Sequence, residues 1–223
     1  RGHTTLAALL AGSRFAHLSA EAGDGDGEPV SHELTPEQEA EFNRQRALRC
    51  IDLWTPAVFR TARADHPEVV AWAQRYIADP RTAGSLVLLG RVGSGKTHQA
   101  YGAMRLIAES GRPPIAWRAV GAADLYAQLR GRFGTEAQEA FAFYTDKQVL
   151  LLDDLGAAKD TPFTEEVTYR LINHRYEAGL PLIVTSNLAP KALSEGLGER
   201  TASRLSGMAV KVVIGGDDRR RAR

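Results

Sequence analysis

Short, mostly apolar runs alternate with longer amphipathic segments along the chain from residue 56 onward. The short runs predict five buried strands, at residues 85–89, 115–119, 148–152, 182–185 and 210–214. The longer segments have apolar residues at helical spacing and predict helices at residues 67–77, 96–109, 122–132, 136–143, 164–178 and 189–206. Strands separated by helices imply a parallel sheet covered on both faces, and such sheets bind ligands at the carboxyl ends of their strands.

The beginning of the chain has a different pattern, which predicts a helical extension with an acidic, glycine-rich linker. Residues 6–12 predict a short amphipathic helix, and residues 15–43 hold eight carboxylates and no lysine or arginine. Thr35, Pro36 and Gln38 have the pattern of a capping box that opens a further helix. We therefore expect an extension at residues 1–55 and a main domain at residues 56–223. The extension is expected to dock on the main domain or on a partner, or else to stay flexible.

The composition is typical of a globular protein and excludes several other classes. Hydrophobic residues make up 43% of the 223 residues and charged residues 25%, which argues against a mainly disordered chain. The net charge is +1, so any nucleic-acid surface must come from local patterning. The single cysteine, Cys50, excludes an internal disulfide and a cysteine-rich metal site. No apolar run reaches the roughly 18 residues of a membrane span, so no membrane partner is expected.

A glycine-rich loop follows the first predicted strand and has the pattern G-x-x-x-x-G-K-[ST] at residues 90–97. Its glycines let backbone N–H groups point into one concavity, which together with the helix N-terminus holds the β and γ phosphates. Lys96 is expected to neutralise the phosphate oxygens, and Thr97 to supply a hydroxyl ligand to Mg²⁺. The residues predicted to bind the nucleotide here are Gly90, Val92, Gly93, Ser94, Gly95, Lys96, Thr97 and His98.

Polar residues also follow the third and fourth predicted strands, at the same edge of the sheet as the glycine-rich loop. Asp153 is expected to hold Mg²⁺ directly or through water, and Asp154 to orient or deprotonate the attacking water. Asn187 is expected to contact the γ-phosphate or the water from a strand between the other two. Taken alone, such residues are common in turns and helix caps, so the glycine-rich loop is what favours the catalytic interpretation.

Two arginines four residues apart, Arg200 and Arg204, share one face of the last predicted helix. One interpretation is a solvated basic face. The other is that Arg204 projects into the nucleotide site of a neighbouring subunit as an arginine finger, a residue worth about 10³ to 10⁵ in rate. An isolated subunit would then be nearly inactive.

These segments together resemble a known family. Residues 56–220 resemble the AAA+ ATPases of the DnaC and DnaI helicase-loader type and the related IstB transposition helpers. The segments that carry the resemblance are GRVGSGKT, LLLDDLGA, YRLINHRYEAGLP running into LIVTSN, and GERTASRL. The resemblance implies an α/β fold, a three-layer P-loop NTPase of the AAA+ RecA-like type. It implies a five-stranded parallel sheet, a reduced C-terminal lid and a short helical N-terminal extension. It also implies ATP and Mg²⁺ as cofactors and a homo-oligomer with ATP at the subunit interfaces.

The resemblance assigns roles to individual residues as well. It implies Walker A at residues 90–97, Walker B at Asp153 and Asp154, sensor 1 at Asn187 and the arginine finger at Arg204. It also implies an arginine of the sensor 2 type near the end of the chain, at Arg220. The four arginines of residues 219–223 fit a solvated or DNA-contacting tail equally well.

In this family the helices after the second strand face single-stranded DNA. Here they contain Tyr126, Arg130, Arg132 and Phe133, and cations with aromatic rings suit contacts to the backbone and stacking on bases. Arg130 and Arg132 are the predicted DNA-binding residues, whereas Tyr126 has the helical spacing of a core residue as its alternative. Arg175 is a candidate for an interface or a DNA contact, with a structural ion pair as its alternative.

The first hypothesis for function is a cytoplasmic, ATP-hydrolysing helicase loader that binds single-stranded DNA and a DnaB-like replicative helicase. The alternative is an IstB-like, ATP-dependent transposition helper that assembles on duplex DNA and recruits a transposase. A third possibility is a binding module that uses ATP only as a switch. Many AAA+ proteins have Glu where this chain has Asp154, whose side chain is one methylene shorter, and slow turnover is expected for that reason.

Overall fold

Five parallel strands form one sheet at the centre of the molecule. The computed structural model describes residues 35–112, 116–159 and 161–215, and the elements are numbered along these residues. The strands are β1 (Ser85–Leu89), β2 (Trp117–Gly121), β3 (Val149–Asp153), β4 (Leu182–Ser186) and β5 (Ala209–Val213). Their order is β2-β3-β4-β1-β5, and every neighbouring pair is parallel. This confirms the predicted α/β class and the five-stranded parallel sheet.

Helices cover both faces of the sheet and make the fold three layers deep. One face is covered by α1 (Pro36–Trp54), α2 (Pro67–Ala78) and α3 (Lys96–Ser110). The other face is covered by α4 (Ala122–Leu129), α5 (Gly134–Thr145), α6 (Pro162–Ala178), α7 (Pro190–Leu197) and α8 (Glu199–Met208). Alternate side chains of a strand point to opposite faces. Leu86 and Leu88 of β1 accordingly belong to the first core, and Val87 and Leu89 to the second.

Helix α1 begins where the capping-box pattern predicts it to begin. The Thr35 hydroxyl accepts the N–H of Gln38 at 3.3 Å, and the side-chain carbonyl of Gln38 accepts the N–H of Thr35 at 2.9 Å. Farther along the helix, Ala47 and Ile51 are buried in the first core. Helix α1 therefore packs on the main domain. The boundary at residue 55 stays a prediction, and residues 1–34 lie outside the described residues.

Several predicted boundaries differ from those in the structure, and three of the differences change how the elements are arranged. The helix predicted at residues 189–206 is two helices, because Gly198 has a φ of 72° and a ψ of 157°, a positive-φ conformation that favours glycine and ends α7 before α8 begins. The helix predicted at residues 122–132 ends at Leu129, because Arg130 adopts an extended conformation. Strand β2 lies two residues later than predicted, which brings Gly121 level with Asp153 at the end of β3.

Arg175 is a structural residue of the fold, which corrects its predicted place at an interface or on DNA. Its side chain is completely buried, and it donates to the carbonyls of Thr145, Lys147, Gln148 and Pro181. The alternative of an ion pair is wrong too, because these partners are backbone oxygens. Burial lowers the pKa of Arg175 to about 10, so the guanidinium stays charged at neutral pH. The residue ties α6 to the amino ends of β3 and β4.

Within the described part of the chain, no helix is both long and apolar enough to cross a membrane.

Candidate nucleotide-binding site

The glycine-rich loop connects β1 to α3 and is shaped by its glycines. A Cβ on Gly90 would lie 2.4 Å from the carbonyl oxygen of Ile214, so the close approach of these two segments requires glycine. Gly93 and Gly95 have φ values of 83° and 97°, in the left-handed region that favours glycine. Helix α3 begins directly after Gly95, at Lys96. Loop amides and a helix N-terminus therefore meet in one anion cradle.

The lysine of the loop is nearly buried and held by three oxygen acceptors. Lys96 Nζ donates to the carbonyls of Gly90 and Arg91, both at 2.9 Å, and to Asn187 Oδ1 at 2.7 Å. Only 6% of this residue is exposed. The contact with Asn187 joins the loop after β1 to the loop after β4, as expected if the carboxyl ends of these neighbouring strands share one site.

Asp153 ends β3 and lies against two hydroxyl groups. Its Oδ1 accepts from Thr97 Oγ1 at 2.9 Å and from Thr185 Oγ1 at 2.6 Å. The same Thr185 oxygen accepts the N–H of Asp154 at 2.9 Å. Thr97 and Asp153, the predicted metal ligands, thus lie within hydrogen-bonding distance. Hydroxyl and carboxylate oxygens are the donors that Mg²⁺ prefers, so these residues fit that ion.

Asp154 has an unusual backbone conformation at the mouth of the site. Its φ is 59°, which makes it the only non-glycine residue with positive φ among the described residues. Such conformations cost of the order of 1 to 3 kcal/mol and cluster at functional sites. Its exposed carboxylate accepts a hydrogen bond from Asn187 Nδ2. The Asn187 amide therefore connects the loop lysine to the predicted catalytic carboxylate.

A cleft of about 740 Å³ brings these residues together. It contains most of the predicted nucleotide-binding residues, together with both carboxylates and Asn187. The lining residues are Val58, Phe59, Val92, Gly93, Gly95, Lys96, Thr97, His98, Asp153, Asp154, Thr185 and Asn187. Gly90 and Ser94 are not among them; Ser94 is buried, and its hydroxyl faces Gly90. Ser94 is therefore placed to shape the loop.

Sequence reasoning missed three residues of this cleft. Val58 and Phe59 precede the first strand, and Phe59 stacks on Tyr101 with ring centroids 5.1 Å apart. They give one end of the cleft an apolar lining. The sequence carries no signal for them, since only packing on α3 brings this segment to the site. Thr185 stands two residues before Asn187, in the TSN segment already singled out, but its contacts depend on the pairing of β3 with β4.

The two arginines of α8 lie outside the cleft. The guanidinium of Arg204 lies over the rings of Tyr169 and Tyr176 of α6, at 5.4 and 6.0 Å from their centroids. Arg200 is exposed. Neither residue lines the pocket of its own chain. A role for Arg204 in hydrolysis therefore requires a second subunit and stays a prediction.

Arg220 lies outside the described residues, as does the whole of residues 216–223.

The predicted DNA-binding arginines are exposed beside the connection between α4 and α5. Arg130 lies over the ring of Phe163 at 5.5 Å, and Arg132 forms an ion pair of 2.8 Å with Glu136. Phe133 is 83% exposed. Tyr126, in contrast, is buried and shares a hydrogen bond of 2.7 Å with Thr168, so the core alternative is correct for it.

Known proteins resemble this chain in sequence and in fold. Residues 58–221 match the sequence model of the family described as IstB-like ATP binding protein. A protein of Mycobacterium tuberculosis, named as an ATP-binding protein in an insertion sequence, is 34% identical over 107 residues. The match covers 48% of this chain and 41% of that protein, so the chain spans less than half the length of this relative.

Two solved structures share the fold. The crystal structure of DnaI has a TM-score of 0.62 and 22% identity, covering 74% of this chain and 94% of that one. The crystal structure of the DnaC helicase loader has a TM-score of 0.62 and 21% identity, covering 72% of this chain and 100% of that one. These similarities confirm the predicted AAA+ type of P-loop fold. Because the family match extends over most of its length, the chain belongs to the family of IstB-like ATP-binding proteins.

Proposed function

We propose that the chain binds ATP together with Mg²⁺ and hydrolyses it. The observation that carries this proposal is the hydrogen bond of 2.9 Å between Thr97 Oγ1 and Asp153 Oδ1, at the edge of the anion cradle. It joins an oxygen ligand from the start of α3 to one from the end of β3. When bound, Mg²⁺ supplies neutralisation of the charge on the phosphate oxygens.

Lys96 and the loop amides bind the phosphates in this proposal. An ammonium group has three donors and no acceptor, and all three donors of Lys96 have oxygen partners. Phosphate oxygens can replace some of these acceptors as the nucleotide enters. Asn187 is then free to turn its amide toward the γ-phosphate or the attacking water.

Asp154 is the residue proposed to act on the water. Its carboxylate is exposed at the cleft, so it can accept a hydrogen bond or a proton from water. The shorter side chain of Asp compared with Glu supports slow turnover. Slow hydrolysis suits a protein that stays assembled in the ATP-bound state.

We further propose that hydrolysis requires a neighbouring subunit that contributes Arg204. Arg204→Ala is expected to leave ATP binding within about threefold of wild type, because the residue lies outside its own cleft. Its hydrolysis rate is expected to fall about 10³-fold or more. Asp154→Asn is expected to bind ATP and to be inactive as well.

Mixing these two variants tests whether Arg204 acts between subunits. At interfaces where Asp154 of one chain meets Arg204 of the other, an intact site forms and part of the steady-state ATPase rate returns. The control is a mixture of Arg204→Ala with the double variant Arg204→Ala/Asp154→Asn, which contains no Arg204 and stays inactive. Absence of recovery at every mixing ratio contradicts the assignment.

For the biological role, we propose an ATP-dependent DNA helper of the IstB type, which assembles on duplex DNA and engages a transposase. The family match and the relative from an insertion sequence support this choice. The second candidate is a helicase loader that binds single-stranded DNA and a DnaB-like helicase. The exposed ring of Phe133, which directly follows Arg132 in the chain, favours it, because such rings stack on unpaired bases.

DNA binding by ATP-bound Asp154→Asn separates the two roles. Phe133→Ala is expected to leave duplex affinity unchanged in the transposition role and to lower single-strand affinity at least about fivefold in the loader role. Arg130→Ala/Arg132→Ala is expected to lower the salt dependence of binding by about two counterions in either role. Arg46→Ala, an exposed arginine of α1, is the control. An unchanged salt slope in the double variant contradicts a DNA contact at this surface.

A further inference from the structure

Thr185, at the end of β4, contacts both carboxylate residues at the end of β3. Its side chain is 1% exposed, so water does not compete for its hydroxyl group. The hydroxyl donates its one hydrogen to Asp153 Oδ1 at 2.6 Å and accepts the N–H of Asp154 at 2.9 Å. In addition, the backbone carbonyl of Thr185 accepts the N–H of Leu155 at 2.9 Å. A single residue therefore fixes three consecutive residues of the neighbouring loop.

The neighbouring serine strengthens the same connection. Ser186 Oγ donates to the carbonyl of Leu155 at 2.6 Å and accepts the N–H of Leu188 at 3.2 Å. Strand β4 thus contacts the loop after β3 through hydrogen bonds to both the side chains and the backbone of that loop. This attachment includes Asp154, whose left-handed backbone requires support from its surroundings.

The two hydroxyl groups that donate to Asp153, those of Thr97 and Thr185, are not equivalent. Thr97 is itself a predicted ligand of Mg²⁺, so its oxygen has a second task once the ion binds. Thr185 is buried in β4, is not a predicted ligand of Mg²⁺ and has no such task. It is therefore the group that continues to orient Asp153 when metal and nucleotide are present. Residues that orient a metal ligand commonly change metal affinity or activity about 10- to 100-fold when replaced.

We propose that Thr185 is a positioning residue for the Mg²⁺ site, and that its hydroxyl orients the Asp153 carboxylate and fixes the turn that presents Asp154. This inference rests on the proposed Mg²⁺-dependent ATP hydrolysis. In this proposal the hydroxyl group of Thr185 is what the Mg²⁺ site requires, and the phosphate cradle does not depend on it. Loss of the hydroxyl accordingly changes the response to Mg²⁺ and leaves metal-free nucleotide binding intact.

The test compares Thr185→Val, which keeps the shape and removes the hydroxyl, with Thr185→Ser, which keeps the hydroxyl. The first readout is the affinity for a fluorescent ATP analogue, in EDTA and across a Mg²⁺ titration. In EDTA, Thr185→Val is expected to bind within about threefold of wild type. The Mg²⁺ concentration that gives half of the maximal change in affinity for the analogue is expected to rise about tenfold or more. The kcat for ATP hydrolysis is expected to fall about 10- to 100-fold. Thr185→Ser is expected to restore both values to within about threefold.

Thr168→Val is the matched control, because Thr168 is another buried threonine with a bonded hydroxyl, outside the cleft. Its Mg²⁺ response is expected to equal that of wild type. If Thr185→Val does not fold, as judged by thermal unfolding, Thr185→Cys replaces it, since a thiol is a weak donor of similar size.

Several outcomes would overturn the inference. One is a folded Thr185→Val, or Thr185→Cys in its place, with the wild-type Mg²⁺ response. Another is a Thr185→Ser variant as impaired as Thr185→Val, since side-chain shape would then be the requirement. Failure of the proposed function is distinguishable from these results. In that case wild type itself shows no Mg²⁺-dependent nucleotide affinity and no hydrolysis.

Discussion

Replacement of Arg175 by methionine is expected to lower the free energy of unfolding by about 3 to 5 kcal/mol, because it removes a fully buried network of charge-assisted hydrogen bonds. Methionine removes donors from the four backbone carbonyls that Arg175 contacts. Each buried acceptor left without a partner costs roughly 1 to 3 kcal/mol, although relaxation recovers part of this. The melting temperature is expected to fall by roughly 10 °C.

Thermal unfolding followed by circular dichroism checks this prediction. Arg170→Met is the matched control on the same helix, because the Arg170 side chain is 54% exposed and its ion pair with Glu166 is long, at 3.9 Å. Its guanidinium also lies over the ring of Phe141 at 4.9 Å, so the expected change in stability is within about 1 kcal/mol. If Arg175→Met melts like the control and instead loses DNA binding or self-association, the residue belongs to a surface after all.

The sheet, and the placement of most of the proposed site residues at one edge of it, are predictable because their signals are local. Each strand is a short apolar run. A strand buried on both faces has this apolar pattern whichever strand it pairs with. The spacing of the glycine-rich loop reflects the shape of a phosphate group, so Lys96 and Thr97 were identified from eight consecutive letters. Asp153 and Asn187 followed from their positions directly after strands.

The remaining features depend on contacts between distant parts of the chain. Arg175 lies on a helix with ordinary amphipathic spacing, and its burial depends on carbonyls about 30 residues earlier and six residues later. Phe59 reaches the cleft because it stacks on Tyr101. Thr185 acquires its partners only through the pairing of β3 with β4. None of these contacts has a pattern within a single segment.

The break in the helical segment after β4 is another feature that the sequence does not predict. Residues 189–206 have helical spacing throughout, yet Gly198 interrupts them because its positive φ is not helical. A glycine in a helical pattern is tolerated in many helices at a cost of about 1 kcal/mol relative to alanine. Whether it breaks the helix depends on the tertiary contacts of the two halves. Here the break sets the direction of α8, and therefore the position of Arg204.

The central claim is that the glycine-rich loop and Asp153 hold ATP with Mg²⁺, and Lys96→Ala tests it with the largest expected effect on binding. Hydrogen bonds to charged groups contribute roughly 1.5 to 3 kcal/mol each. Loss of two such bonds to phosphate oxygens lowers ATP affinity about 100-fold or more. Lys96 donates to two carbonyls of the loop, so thermal unfolding of the variant is measured alongside to establish that it is folded.

The most direct measurement is isothermal titration of wild type, Lys96→Ala and the control Lys191→Ala with a non-hydrolysable ATP analogue and Mg²⁺. Lys191 is an exposed lysine of α7, with a side chain that is 89% accessible. We expect saturable binding by wild type and Lys191→Ala, and no measurable binding by a folded Lys96→Ala. Equal affinity of all three proteins for the analogue would contradict this expectation.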